Sequence, residues 1–376
     1  MSARKKVLII FGTRPEAIKM GPVVEALRAI PSIHVITLAT AQHRELLDDV
    51  LRVFGIVPDH DLNVMTENQK LGAVTARCVE GIDRILDVER PELVVAQGDT
   101  TTVLAAALAA YYHRIPFAHV EAGLRTADKF SPYPEEMNRR LVGSLADLHF
   151  APTPDAAQHL WREGVNPDIV HVTGNTVVDA VQAIATRVRD GSMLPPEVGR
   201  FLDGVGRLVL VTAHRRESFG PPFASMCRAF RDIVTRYPDV GLLYPVHPNP
   251  NVRRTVDAEL RDEPRILLIE PVDYLQFVEL MQRATLILTD SGGVQEEAPS
   301  LRKPVLVLRE KTERPEGIRA GVARLCGTDR ERIVAEAARL LDSEEAYRDM
   351  VAAQNPYGDG QAASRIATLI RDRLGI

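Results

Sequence analysis

Short apolar runs alternate with longer amphipathic stretches along the whole chain. In the first half the runs read KVLIIFG, HVITLAT, ELVVAQG, PFAHVEA, LHFAPT and IVHVTG. In the second half they read RLVLVTA, GLLYPVH, RILLIEP, TLILTDS and KPVLVLRE. Each run is continuous rather than alternating, which marks a strand buried on both faces, as in a parallel sheet covered by helices. The stretches between them, such as PEAIKMGPVVEALRAI, TTTVLAAALAAYYHR and RERIVAEAARLLD, carry helical patterns. Strand and helix in repeated alternation mean an α/β protein. The rhythm pauses over residues 175–206, a helical stretch broken by Gly191, Pro195 and Pro196, and then restarts. That pause predicts a Rossmann-like domain over residues 1–175 and a second over 176–360. NPYGDG reads as a loop by residue chemistry. The last amphipathic stretch, 361–376, is expected to pack back on the first domain.

Polar clusters recur where the strands end. In doubly wound sheets, ligands bind beyond the carboxyl ends of the strands. Here those ends read GTRPE, QGDT and EAGLRT in the first half, and AHRRE, HPNP and DSGG in the second. If the two domains face each other, these ends meet in one central cleft. The clusters hold Arg14, Lys19, Asp99, Glu121, Arg125, Glu135, Glu136, Arg139, Arg140, His214, Arg215, Arg216, His247 and Arg314. Taken singly, such residues are most often solvated surface charge. Pro134, Glu135 and Glu136 also make an ordinary helix start. His119 lies inside an apolar strand and reads as a core histidine, while His43 in AQHRE is open to either reading. Shared placement after successive strands is what gives the set weight.

Composition narrows the classes. At 376 residues, with 45% apolar and 26% charged residues, the chain is an ordinary globular one with room for two domains. A net charge of −5 gives no overall bias toward nucleic acid or an acidic membrane. MSARKKVLII has a basic start, but its apolar run is too short for a signal peptide. No run approaches the length of a membrane helix. Cys78, Cys227 and Cys326 are odd in number and far apart, so neither a disulfide framework nor a zinc knuckle is expected. A reducing cytoplasm is the simplest compartment.

Among chemistries, HRRE is not a metal-binding HExxH, and no GxSxG follows a strand. FGTRPEA lacks the second and third glycines of a dinucleotide fingerprint. No metal or cofactor is expected. Arginine and lysine offer charge, the paired glycines of TDSGGVQEEAP offer backbone donors, and carboxylates with a histidine offer proton transfer. A phosphate site joined to acid/base chemistry fits best.

The ordered motifs FGTRPEAIKM, QGDTTT, HVEAGLRT, SPYPEEMNRR, TGNTVVDA, TAHRRESFG, YPVHPNP, TDSGGVQEEAPSLRKPVLVLRE and TERPEGIRAG span residues 11 to about 321. With NPYGDG the match reaches about residue 360. In these the chain resembles the non-hydrolysing UDP-N-acetylglucosamine 2-epimerases. The resemblance implies a glycosyltransferase-B-like fold, a homodimer, and interconversion of UDP-N-acetylglucosamine and UDP-N-acetylmannosamine for cell-surface polysaccharides. It implies elimination of UDP to an enzyme-bound 2-acetamidoglucal, then re-addition with protonation on the other face of C2. A hydrolysing relative that releases free N-acetylmannosamine, or a nucleotide-sugar sensor without turnover, are the alternatives.

Carried over by position, Asp99, Glu121 and Glu135 are the implied catalytic carboxylates, with His214 at the sugar–phosphate junction. Arg14, Lys19 and Arg215 are implied to face the phosphates, with His247 also in the nucleotide-sugar pocket. Ser291, Gly292 and Gly293 are implied to cradle the diphosphate, with Phe277 near the uracil, Glu297 on the ribose and Arg314 completing the pocket. Glu296 is left to complement the helix dipole. Three close carboxylates are expected to push their pKa values apart. Bacterial members commonly carry a second, regulatory nucleotide-sugar site. Gln42, His43, Glu136, Arg215 and His247 match its motif, but Glu45 stands where it has glutamine, and the arginine it has near Asn68 is not matched. A carboxylate facing an anionic ligand is unfavourable, so that site is not expected in its usual form. Gln97 and Arg302 also differ from the commoner histidine and glycine.

Overall fold

The apolar runs build two parallel sheets. The computed structural model describes residues 4–40, 44–65, 69–126, 128–188 and 193–376, without the side chains of residues 44–46. The first sheet contains β1 (Lys5–Phe11), β2 (Ile33–Ala39), β3 (His60–Asp61), β4 (Leu93–Gln97), β5 (Phe117–Val120), β6 (Leu148–Ala151) and β7 (Val170–Val172). The second contains β8 (Arg207–Thr212), β9 (Val240–Pro245), β10 (Ile266–Ile269), β11 (Leu286–Thr289), β12 (Val305–Val307) and β13 (Ala323–Leu325). Burial explains the continuous runs. Val7, Leu8, Ile9, Ile10 and Phe11 have no exposed surface, and neither have Leu93, Val94, Val95 and Ala96. β3 and β13 lie outside the runs found in the sequence. Both are sheet-edge strands of two and three residues, HD and ARL, too short and too polar to give a run.

The strand orders are β3-β2-β1-β4-β5-β6-β7 and β10-β9-β8-β11-β12-β13. Both follow the doubly wound 3-2-1-4-5-6 order, the first with one strand added. In each, the order reverses beside the first strand, between β1 and β4 and between β8 and β11. The register aligns neighbouring strand ends, between β4 and β5 in the first sheet and between β8 and β11 in the second. Gln97 pairs with Val120, and Thr212 pairs with Thr289.

The chain divides into two compact units, Met1–Ala180 with Gly358–Ile376, and Val181–Tyr357. The stretch read as a broken helix forms two helices, Thr176–Arg187 and Pro196–Asp203; Gly191 lies outside the described residues. The last helix, Ala362–Arg373, packs on the helix Arg14–Arg28 within the first unit. Ile366 and Ile370 are fully buried, which stabilises by roughly 2 kcal/mol each. The Asp179 carboxylate accepts from the Ala362 and Ala363 N–H groups at 3.3 and 2.8 Å, satisfying donors that a helix start leaves open. Among the described residues, no helix is long and apolar enough to cross a membrane.

Candidate active site

In the first unit, the ends of β1, β4 and β5 carry the predicted residues. Arg14 opens the helix after β1, and Lys19 lies five residues on along it. Asp99 follows β4, and Glu121 follows β5 directly. Glu121 has φ 62°, a left-handed backbone uncommon outside glycine; holding it costs about 1–3 kcal/mol. Its carboxylate is nearly buried and well held. Lys19 Nζ donates to Oε1 at 2.5 Å, Asn175 Nδ2 donates to the same oxygen at 3.0 Å, and Gln97 Nε2 donates to Oε2. Asp99 is gripped by Arg139, with Nε and Nη2 at 2.8 and 2.7 Å from Oδ2, while Asn138 donates to the Asp99 carbonyl at 2.8 Å. Glu135 begins the helix Glu135–Leu145 and is half-buried, while Glu136 beside it is fully buried. Glu136 accepts from the Thr126 N–H at 3.0 Å, from Arg140 at 2.9 Å and from Arg139 at 3.3 Å. Arg125 is turned to another task, a two-pronged bond to Glu163 at 2.8 and 2.6 Å.

The carboxylate here with raised affinity for protons is one that sequence reasoning missed. Glu16 is buried, and burial pushes its pKa up to about 7, with the Asp99 charge adding to the rise. Its Oε2 accepts from the Gly12 and Thr13 N–H groups at 2.5 and 2.9 Å, and its Oε1 accepts from the Thr100 hydroxyl. One side chain thus ties the turn after β1 to the turn after β4. The signal was present in TRPE, where Glu16 stands three residues after Thr13 at a helix start. His119 is a core histidine as read. Its Nε2 meets the Gly98 carbonyl at 2.7 Å, and burial lowers its pKa to about 4.

In the second unit, the ends of β9, β8 and β11 bring together His247, His214, Arg215 and the SGG turn. The rings of His214 and His247 stack, with centroids 5.0 Å apart and planes 13° from parallel. His247 Nδ1 accepts from the Asn249 N–H at 3.1 Å, and its pKa is lowered by burial and by His214. Asp290, absent from the predicted set, is fully buried and accepts the His214 and Arg215 N–H groups on one oxygen at 2.6 and 2.7 Å. It precedes Ser291 at a strand end, so the rule that found its neighbours also covers it.

Ser291 precedes the short helix Gly292–Glu297 and makes no side-chain cap bond. A Cβ at Gly292 would come no nearer than 4.0 Å to Arg215 Nη2, and one at Gly293 no nearer than 3.9 Å to the Ser291 hydroxyl. Packing within the protein therefore does not demand glycine at either position. The missing side chains leave backbone N–H groups approachable beside a guanidinium. Glu297 is buried and accepts from the Tyr274 hydroxyl at 3.1 Å. Phe277 lies one turn beyond Tyr274 on the helix Tyr274–Arg283, hence on the same face. Glu296 does more than complement a dipole, because it is buried and ion-pairs with Arg314. A buried carboxylate requires such a partner. Gln42, His43 and Asn68 lie outside the described residues, as does the Glu45 side chain.

A family model described as UDP-N-acetylglucosamine 2-epimerase matches residues 25–371. The chain is 53% identical to a UDP-N-acetylglucosamine 2-epimerase of Escherichia coli (strain K12) over 370 residues, covering 98% of each. Solved structures agree. S. aureus MnaA in a co-structure with UDP is 45% identical, with a TM-score of 0.89, over 99% of this chain and 97% of that one. The UDP-GlcNAc 2-epimerase of Neisseria meningitidis bound to UDP-GlcNAc is 42% identical, with a TM-score of 0.87, over 98% and 100%. With two Rossmann-like α/β domains and full-length likeness, the chain belongs to the UDP-N-acetylglucosamine 2-epimerase family, a family of isomerases.

Proposed function

We propose that this protein interconverts UDP-N-acetylglucosamine and UDP-N-acetylmannosamine without hydrolysis. The observation that carries the reading is the pair Asp99 and Glu121 on adjacent strand ends, each clamped by a cation. Binding a sugar diphosphate does not call for carboxylates held in fixed places. Moving a C2 proton does. In the proposed step, a carboxylate base takes the C2 proton as the C1–O bond breaks, and UDP leaves with the bonding pair. The 2-acetamidoglucal is held, UDP oxygen re-adds at C1, and an acid delivers a proton to the opposite face of C2. Asp99, Glu121 and Glu135 are the proposed acid/base groups, and His214 serves at the sugar–phosphate junction.

Breaking a bond to UDP without losing it requires a firm grip on the diphosphate. Arg14, Lys19 and Arg215 are the proposed charges, and the Ser291, Gly292 and Gly293 N–H groups the proposed cradle, helped by charge-assisted bonding. His247 lines the same nucleotide-sugar pocket, with Phe277 by the uracil, Glu297 on the ribose and Arg314 completing the pocket through Glu296. The product feeds cell-surface polysaccharide synthesis in the cytoplasm. Exposed Tyr111, Tyr112, Met137 and Leu141 on the neighbouring helices Thr101–Tyr112 and Glu135–Leu145 support a homodimer.

The test is to incubate UDP-N-acetylglucosamine with the pure protein in D₂O without an acceptor and follow it by NMR. Epimerisation gives the C2 isomer with deuterium at C2 and the UDP bond intact. Free N-acetylmannosamine with UDP would show a hydrolase instead, and unchanged substrate a sensor.

A further inference from the structure

We infer that Asp290 is the positioning residue for His214, fixing both its backbone turn and the tautomer of its ring. The inference rests on the reading of His214 as a reacting group. Asp290 sits at the carboxyl end of β11, next to β8, and has no exposed surface. Its two oxygens are used unequally. Oδ2 takes the backbone N–H groups of His214 and Arg215 at 2.6 and 2.7 Å. Oδ1 has no hydrogen-bond partner among the described residues, and lies 3.7 Å from His214 Nδ1.

A buried carboxylate oxygen without a donor is costly, so the fold has a reason to supply one. His214 Nδ1–H is the donor that the geometry offers. The stacked His247 ring cannot donate through Nδ1, which already accepts from the Asn249 N–H. At 3.7 Å the bond is not yet made, and a ring shift of roughly 0.5–1 Å would close it. Bonds of this kind are often long before substrate binds and tighten in the complex. The turn is otherwise rigid. Tyr244 donates to the Ala213 carbonyl, and the Thr212 and Thr289 hydroxyls meet at 2.6 Å across β8 and β11. The freedom left is in the ring.

With Nδ1–H directed to Asp290, Nε2 keeps its lone pair. It can accept a proton or a hydrogen bond at the sugar–phosphate junction. Asp290→Asn separates the two tasks. The amide oxygen can keep both backbone N–H groups, while the NH₂ group placed toward Nδ1 favours the opposite tautomer.

The experiment combines ¹⁵N NMR of histidine-labelled protein with turnover of UDP-N-acetylglucosamine, using the full chain. The His214 signals are assigned by their loss in His214→Gln. The wild type is expected to show neutral His214 chiefly as the Nδ1–H form, and Asp290→Asn chiefly as the Nε2–H form. Asp290→Asn is expected to lose about 10²–10³-fold in kcat, the range of a misdirected acid/base group, with UDP affinity retained. In a His214→Gln background the second change should cost nothing more. A wild-type ring in the Nε2–H form overturns the inference, and needs no folded variant to do so. Near wild-type turnover in Asp290→Asn overturns it as well. Near wild-type turnover in His214→Gln instead removes His214 from the reaction, a failure of the functional reading that the tautomer measurement keeps separate.

Discussion

The two units spend their charged residues differently at equivalent places. Both place polar side chains at the carboxyl ends beside the point where strand order reverses. In the first unit these groups are already engaged with each other. Asp99 is locked to Arg139, Glu121 to Lys19, Gln97 and Asn175, and Glu16 is sealed beneath Thr100. In the second unit Arg215 is half-buried, Gly292 and Gly293 put no side chain beside their N–H groups, and His247 is exposed. One end is built to hold charge in fixed places, as bond-making chemistry requires. The other leaves donors approachable, as a ligand requires. The comparison predicts that changes to the clamped carboxylates of the first unit fall on turnover, and that changes to Arg215 and Glu297 in the second fall on nucleotide affinity.

The largest effect should come from the carboxylates. Asp99→Asn and Glu121→Gln are each expected to lower kcat by about 10²–10⁴-fold. UDP affinity by calorimetry should stay within about threefold, since neither is a proposed nucleotide contact and RT ln 3 is only about 0.6 kcal/mol. A matching loss of UDP affinity would erase the division of labour. Turnover near that of the wild type in either variant would remove that residue from the chemistry.

The interior of the first unit should also show itself in acid and base. The pKa of His119, lowered to about 4 by burial, gives stability that is present above its unfolded value near 6.5 and lost as pH falls through about 4. Glu16 has the opposite sign. Its pKa is raised from 4.5 to about 7, so its contribution is complete below 4.5 and lost as pH rises through about 7. Each loss is on the order of 3 kcal/mol. Trp161, the single tryptophan, lies in this unit and reports its unfolding by fluorescence. Glu16→Gln can keep its three hydrogen bonds, because the amide oxygen takes the two N–H groups and the NH₂ group donates to Thr100. Its urea midpoint is expected to hold from pH 5 to 8, where that of the wild type falls. An equal decline in both proteins would show that Glu16 is not the group that titrates.

In the second unit, Arg215→Ala should weaken UDP binding by about 10–100-fold, the worth of a charge-assisted contact to phosphate. High salt should shrink the difference, because Arg215 is only half-buried and its charge is open to screening. Loss of turnover at saturating substrate with UDP affinity unchanged would move Arg215 to the chemical side of the comparison.

How far these features could be read in advance depended on the kind of signal. Fully buried parallel strands announce themselves as apolar runs, so the α/β class and most strands were legible, while β3 and β13 were too short to register. Strand-end residues such as Asp99, Glu121 and His214 were legible because topology gathers them. The pairings of Glu16, Asp290, Gln97 and Asn175 were not. These residues work by touching another residue that is distant in the chain, as Asp290 touches His214 from 76 positions away. Pairing of that kind leaves no period or spacing. Glu296 was misjudged for the same reason, since its partner Arg314 lies beyond a strand and a turn.

The smallest effect concerns Glu297. One of its oxygens accepts from the Tyr274 hydroxyl, so the ribose contact proposed for it rests on the remaining acceptor capacity. Glu297→Gln keeps an acceptor for Tyr274 and exchanges the other oxygen for a donor. The loss should be about 3–10-fold in UDP affinity, the worth of a single hydrogen bond. Affinity alone would not separate a ribose contact from a disturbed helix, so the comparison ligand is 2′-deoxy-UDP. Wild type is expected to prefer UDP over the deoxy form by a similar factor, and Glu297→Gln to lose most of that preference. Tyr274→Phe serves as the control, because it removes one donor to Glu297 Oε1 without touching the ribose and should leave the preference in place. A preference that survives in Glu297→Gln would assign the hydroxyls to another group and leave Glu297 as the partner of Tyr274.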